Sequence, residues 1–257
     1  MIANYHTHTW RCRHAEGTEE EYIRTAINAG MQVLGFSDHT PYWFDSDYYS
    51  TFRMFPEQLE DYVQTAQSLK KQYASQIDIY VGLEAEYYPQ SFSGLMEHLQ
   101  DYPMDYLILG QHYIGEEIGQ VYLGAHPTAD PAYLEAYCNQ CIDGLYTGVF
   151  SCFAHPDVLG FLGEAKVYQQ HMRRLCRAAK ECNIPLEINF QGLRRGRHYP
   201  NLLFWETAAE EGCSAVLGCD AHKPADIAAP EEEANALTFA SACGIELLSQ
   251  ISLFPIN

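Results

Sequence analysis

No stretch of the 257-residue sequence approaches the roughly 18 consecutive apolar residues that a membrane helix needs. Its first residues lack the basic-then-apolar layout of a signal peptide. The expectation is a soluble, cytoplasmic protein with no membrane partner. Positive charge is scarce: 15 Lys and Arg against 34 Asp and Glu leave a net charge of −19. No basic stripe is available, which argues against nucleic acid as a bulk partner. The same imbalance sets a problem for any anionic substrate, which needs strong local positive charge to offset the field of the whole molecule. A disulfide framework is also missing. The 9 cysteines are odd in number and scattered, mostly in apolar or helical surroundings such as those of Cys152 and Cys176. In a chain this long they read as buried thiols. Cys138-Asn-Gln-Cys141 stands alone, and a zinc site would want a second such pair, so it reads as two core thiols one helical turn apart. There is no Pro/Gly/Ser linker, low-complexity segment or fixed-period repeat, so a single domain over 1–257 is expected.

What is present is alternation, and 47% hydrophobic residues, enough for a substantial core. Short apolar runs read as buried strands: MIANY, QVLGFS, IDIYVGLEAEY, DYLILGQ, VFSCFA, IPLEINF and AVLGCD. Helical patterns lie between them. Thr18-Glu-Glu-Glu21 is a capping-box start, with Tyr22, Ile23, Ala26 and Ile27 as the apolar stripe behind it and Gly30 as the stop. Further helices are expected over about 56–71, 92–100, 131–146, 165–182, 200–211 and 230–243. Strands that are apolar on both faces and alternate with helices imply a parallel sheet with right-handed crossovers, an α/β fold. A doubly wound sheet and a barrel both satisfy this. The barrel is favoured because polar, chemistry-bearing residues follow nearly every strand, and a barrel gathers its strand ends on one face.

Those residues are mainly metal-ligand types. His6 and His8 follow the first strand, Asp38 and His39 the second, and Glu84 and Glu86 lie at the end of the third. His112, His155 and the pair Asp220 and His222 follow later strands, and His14 sits in the first loop. A single strand-end histidine is more often a surface or cap residue than a ligand. An HxH on a strand, however, projects both imidazoles to one side. Joint ligation explains the set better than repeated coincidence at one end of the fold. Imidazole and carboxylate without a cysteine set suit zinc, manganese or iron. The donors exceed what one ion takes, so two to three divalent ions are expected, with Glu84 able to bridge. Such sites drive hydrolysis, above all of phosphate esters. His126, His98 and His171 read as ordinary loop or helix-surface histidines. The tyrosine-rich stretch 42–49 reads either as a substrate-covering loop or as a structural excursion.

Taken in order, HTHT at 6–9, His14, SDHT at 37–40, GLEAEY at 82–87, GQHY at 110–113, AHPD at 154–157, LEIN at 186–189, GLRR at 192–195 and CDAH at 219–222 resemble the PHP superfamily, in particular its monofunctional histidinol-phosphatases. The resemblance implies a distorted (β/α)7 TIM-like barrel with a trinuclear site. By motif, the first metal would take His6, His8, Glu84 and Asp220. The second would share Glu84 and take His112 and His155, and the third would take His14, His39 and His222. Three divalent ions against two carboxylates would leave the site positive, which answers the charge problem. The implied activity is hydrolysis of L-histidinol phosphate by a metal-bridging hydroxide, as a step of histidine biosynthesis, with a small-molecule phosphate ester as partner. Asp220 and His198 are the candidates for protonating the leaving oxygen. The GLR element nominates Arg194 for the phosphate, with Arg195, Arg197 and Asn189 as further candidate substrate contacts. The resemblance departs at one place. Related enzymes often carry an arginine shortly after the fifth-strand histidine, and the stretch following His155 has none. Either another basic residue compensates or the substrate is a different small phosphate, such as a nucleotide or sugar phosphate. A non-catalytic metal-binding module is the reading from another class, and the intact ligand set counts against it.

Overall fold

The computed structural model describes residues 1–44 and 46–256. Eight parallel strands lie side by side in chain order: β1 (Ala3–Asn4), β2 (Val33–His39), β3 (Asp78–Ala85), β4 (Tyr106–Leu109), β5 (Phe150–Phe153), β6 (Leu186–Asn189), β7 (Ser214–Gly218) and β8 (Glu246–Leu247). The first seven are the seven strands expected. The eighth, two residues long, carries too short an apolar run to be read from the sequence. Helices α1 (Glu19–Asn28), α2 (Leu59–Tyr73), α3 (Phe92–Leu99), α4 (Pro131–Tyr146) and α5 (Ala165–Glu181) connect the strands. They are followed by α6 (Phe190–Arg194), α7 (Leu202–Glu210) and α8 (Pro230–Cys243). The capping box at the start of α1 forms as read, between Thr18 and Glu21. The five-residue α6 was not expected. It starts directly after β6 because the Asn189 side chain accepts from Gly192 N and caps it.

The ring closes differently at its two ends. At the C-terminal end of the strands, Thr7 and Ala221 form a parallel bridge, with His8 N donating to Ala221 O at 2.9 Å. At the other end β8 pairs with β7, Ser214 opposite Glu246. The α/β TIM-like barrel is therefore distorted, with seven staves meeting at the top and an eighth inserted at the bottom.

Alternation along the strands separates two cores. Leu107 and Leu109 of β4 face outward into the large core shared with the helices. Tyr106 and Ile108 face inward with Ala3, Tyr5, Cys152, Val216 and Ile251. Tyr106 donates to both Tyr5 O (2.8 Å) and Phe36 O (3.0 Å). Its ring occupies the space that side chains at Gly35 and Gly82 would need. The barrel is thus a packed plug below its mouth, and all its open chemistry lies at one end. All nine cysteines are free, and Cys138 and Cys141 are core residues of α4. Among the described residues no helix is long and apolar enough to cross a membrane.

Candidate metal centre

Parallel register brings distant ligands together. His39 of β2 is directly opposite Glu84 of β3. Glu84 is buried at the middle of the cluster. One carboxylate oxygen lies 2.8 Å from His155 Nε2 and 3.5 Å from His112 Nε2. The other lies 2.9 Å from His39 Nδ1, 3.5 Å from His6 Nε2 and 3.6 Å from His8 Nε2. Asp220 Oδ1 lies 3.2 Å from His8 Nε2 and 3.3 Å from His222 Nδ1. His14, on the loop after the Trp10–Cys12 turn, points its Nε2 at that of His222, 2.8 Å away. Every histidine and carboxylate expected as a ligand is in this cluster.

Two of these residues hold unusual backbones. His155 has φ 32° and Asp220 φ 45°, in the left-handed region that ordinary residues avoid. Each costs on the order of 1–3 kcal/mol and persists because its surroundings impose it. Past His155, the Asp157 side chain accepts from Asn201 N (2.5 Å) and Trp205 Nε1 (3.2 Å), which pins the turn to α7.

The donor set fits divalent cations. His6 Nε2, His8 Nε2, His39 Nδ1 and Glu84 Oε2 are buried and make no hydrogen bond. Each such group costs about 1–3 kcal/mol if nothing meets it. Burial holds the His39 and His222 imidazoles well below their usual pKa, whereas the carboxylates beside His6, His8 and His155 more than offset burial and raise theirs. Burial works against ionisation of Glu84 and Asp220. The imidazoles around them more than offset it and hold both carboxyls well below the usual range. Neutral imidazole and ionised carboxylate are the forms that bind metal. Ligand atoms fall within 4.8 Å of one another in the sets His14–His39–His222, His6–His8–Glu84, His39–Glu84–His112 and His6–His155–Asp220.

A layer of carboxylates stands behind the imidazoles. Glu187 Oε1 lies 2.8 Å from His6 Nδ1, Glu86 Oε1 2.7 Å from His112 Nδ1, and Asp38 Oδ1 3.5 Å from His8 Nδ1. Such partners set the tautomer and aim the other nitrogen at the metal. Asp38 and Glu86 are strand-end residues to which the sequence alone gives no role, and Glu187 is not singled out by it at all. The missed signal is its place two residues before Asn189 on one strand, hence on the same inward side. Glu187 also accepts from His155 N (3.0 Å) and Asn189 Nδ2 (2.9 Å). A methyl group at Gly218 would overlap its Oε1, and one at Gly110 would overlap Glu84 Oε1, so both carboxylates are seated against glycine. Glu187→Gln keeps this shape but loses the charge facing His6. It is expected to lower zinc affinity about 10- to 100-fold, read by competition with a chromogenic chelator. Unchanged affinity would remove Glu187 from this role.

Over the cluster opens a cavity of about 270 Å³. Its wall includes Phe52, Tyr113, Tyr122 and Tyr199 as well as Gln191, Arg195 and Arg197. Three expected substrate or catalytic residues are not in that wall. Arg194 is turned away from the cavity, held by Glu232 of α8 (3.2 Å) and by Asp226 in the Pro224–Asp226 turn before it (3.5 Å). His198 Nε2 faces Val158 O at 2.7 Å. Asn189 is buried beneath, donating to Asp220 Oδ2 at 3.0 Å as well as to Glu187, so it orients the ligands instead of meeting substrate. Of the tyrosine-rich stretch, Asp45 lies outside the described residues. Tyr42 packs on Tyr88 and donates to Glu86 O. Among the described residues of 42–55, Phe52 lines the cavity and none of 42–49 does. His98 stacks on Trp43 away from the site, and His126 is exposed on its loop.

A parallel α/β barrel carrying histidines and carboxylates at the C-terminal ends of its strands defines a divalent-metal enzyme scaffold. The chain belongs to the PHP domain family, whose match spans residues 4–191. It is 30% identical over 245 residues to a protein of Deinococcus radiodurans named as a probable histidinol-phosphatase, covering 88% of each chain. A Schizosaccharomyces pombe protein with the same name is 27% identical, covering 99% of this chain and 91% of that one. The fold is shared with the histidinol phosphate phosphatase of Lactococcus lactis, solved with zinc, L-histidinol and phosphate. That structure has a TM-score of 0.73 and 21% identity, over 98% of this chain and 97% of that one.

Proposed function

We propose that the chain is a metal-dependent phosphatase that hydrolyses L-histidinol phosphate to L-histidinol and phosphate. The observation that carries the hydrolytic reading is the convergence of seven imidazoles and two carboxylates, with Glu84 in their midst, under an open cavity. The named substrate is supported by the Deinococcus and yeast relatives and by the ligands of the Lactococcus structure. Two to three ions, zinc, manganese or iron, would be held by His6, His8, His14, His39, Glu84, His112, His155, Asp220 and His222. Bound there, they supply a nucleophilic hydroxide at neutral pH and neutralise charge on the phosphoryl oxygens.

The chain's own groups do the rest. Glu187 and Glu86 hold the rings of His6 and His112, and Asp38 lies 3.5 Å from that of His8. Asn189 holds Asp220 at Oδ2, leaving Oδ1 toward the imidazoles. In hydrolysis the bond from water oxygen to phosphorus forms, the ester bond breaks, and one proton must pass from water to the leaving alkoxide. Of the two expected proton carriers Asp220 is the one at the cavity wall, but the imidazoles hold it ionised, its pKa well below the usual range, so water in the open mouth delivers the proton to the leaving oxygen. His198, committed to Val158 O and outside the wall, is not placed for it.

Phosphate release from L-histidinol phosphate, measured beside a panel of sugar and nucleotide phosphates with zinc or manganese supplied, tests the reading. Preferential turnover of L-histidinol phosphate is expected. Turnover of the panel alone would replace the substrate, and no release with metals bound would overturn the hydrolase. Elemental analysis of protein purified without chelator should find two to three divalent ions per chain, and fewer than two would contradict the cluster as assigned.

A further inference from the structure

The loop after β4 is closed at its base, where Leu123 N donates to His112 O at 3.0 Å. Its two legs carry Tyr113 and Tyr122, both in the cavity wall, and Tyr122 stacks on His112 with ring centres 5.7 Å apart. The tip of this loop has inverted polarity. Among residues 115–121 only Glu117 is buried, at 1% exposure, while Ile118 and Val121 stand in water at 44% and 46%. A buried carboxylate is costly unless it is paired. The pairing comes from the segment that precedes α2. Arg53 Nε donates to Glu117 Oε2 at 2.7 Å, and Tyr48 Oη donates to Oε1 at 2.8 Å. Tyr88 Oη adds a bond of 3.3 Å to Oε2. The same guanidinium is fixed to the barrel, with Nη2 2.7 Å from Glu86 Oε1. Directly before Arg53 stands Phe52, the ring that this segment gives to the cavity. Its centre lies 4.8 Å from that of His39, edge-on, and 6.0 Å from that of Tyr113.

We infer that Glu117 is the positioning residue of the cavity's aromatic wall. It fastens the loop after β4 to the 46–55 segment and so sets the spacing of Phe52, Tyr113 and Tyr122, against which a planar ring in the leaving group is seated. Glu117 is not in the cavity wall itself and acts only through the rings on either side of it. The inference rests on the phosphatase reading for its substrate. An apolar tip packed on an apolar surface would hold the two segments together without fixing how far one slides past the other. A charged fork on a carboxylate has direction and admits one register. Arg53 carries that register from Glu86, at the end of β3, to the tip of the loop, so the rings are placed relative to the same frame as His112.

The test is the ratio of kcat/KM for L-histidinol phosphate to that for glycerol 3-phosphate, a phosphomonoester without a ring, beside L-histidinol binding by calorimetry, all on zinc-loaded protein. Glu117→Gln keeps the shape and removes the charge that Arg53 faces. It is expected to lower the ratio and the L-histidinol affinity about 10- to 100-fold, the scale of a small misplacement of a seated group, with zinc content unchanged. Tyr48→Phe takes one hydroxyl from Glu117, leaves the cavity wall untouched and should move both readouts the same way by less. Glu116 ties the same loop to the start of α3, accepting from Gln90 N at 2.9 Å and Ser91 Oγ at 2.7 Å. Glu116→Gln is expected to leave the ratio within about twofold, as for other contacts at the surface. An unchanged ratio in Glu117→Gln, including a fall shared equally by both esters, marks a merely structural anchor and overturns the inference, as does a larger change in Glu116→Gln. Weaker L-histidinol binding in Glu117→Gln, on a protein that hydrolyses no phosphomonoester, would uphold the positioning role and sink the phosphatase reading. Normal hydrolysis with ratio and affinity unchanged in the variants would do the reverse.

Discussion

Glu84→Ala protein is expected to be folded, depleted of metal and slower in phosphate release by more than 100-fold. The loss of a partner behind a ligand already costs about 10- to 100-fold, and Glu84 lies among five imidazoles at once. Without it those rings enclose a buried space with one carboxylate, Asp220, on one side. Cations placed there would lose both neutralising charge and the group that bridges them. The fold itself does not depend on Glu84, because the packed plug around Tyr106 lies below it. Circular dichroism and elemental analysis on one preparation separate the two effects. Wild-type turnover in this variant would show that the bridge is assigned to the wrong residue.

Arg53→Met is expected to lower stability by about 3–5 kcal/mol, the cost of removing one partner from a buried ionic network. Arg53 is fully buried between two buried carboxylates, with Nη2 2.7 Å from Glu86 Oε1 and Nε 2.7 Å from Glu117 Oε2. It also donates to Thr40 O and Tyr88 Oη. Burial works against ionisation of Glu86, and Arg53 together with His112 more than offsets this and holds its pKa below the usual value. Methionine fills the volume but leaves Glu117 without its arginine and Glu86 with His112 alone. Because Glu86 also holds His112, the variant should bind metal more weakly even below its unfolding temperature. Urea denaturation reads the first effect and chelator competition the second. A destabilisation under about 1 kcal/mol, well below the 3–5 kcal/mol that breaking such a network costs, would mean that the network relaxes or takes in water.

The barrel and the cluster of histidines and carboxylates at its mouth were legible in the sequence for physical reasons. Strand and helix periods differ, so the alternation from MIANY to AVLGCD could be counted, and strand ends in a barrel share one face. His6, His8, Glu84, His112 and Asp220 could therefore be grouped without knowing a distance. What followed α6 was not legible. Three arginines within four positions look equivalent in a string, and only the direction of each side chain separates Arg194, turned to Glu232, from Arg195 and Arg197 at the cavity. Loop direction has no period to read. Arg53 was hidden for a related reason. It lies in an irregular segment, and its partners Glu86 and Glu117 are on other elements, so no local spacing signals a buried cation. β8 escaped because two residues carry no pattern.

The bridge between Thr7 and Ala221 has a consequence for how the protein comes into being. His14 and His222, 208 residues apart in sequence, have their ring nitrogens 2.8 Å apart. On a ribosome the early histidines emerge long before their companions are translated. Until β7 arrives, β1 has one edge unclaimed, and His6, His8 and His14 are loose imidazoles open to any passing transition metal. The site cannot ripen stave by stave. It is completed only when the ring closes, and ions bound there would act as a clasp across the seam, fastening the segment after β1 to the segment after β7.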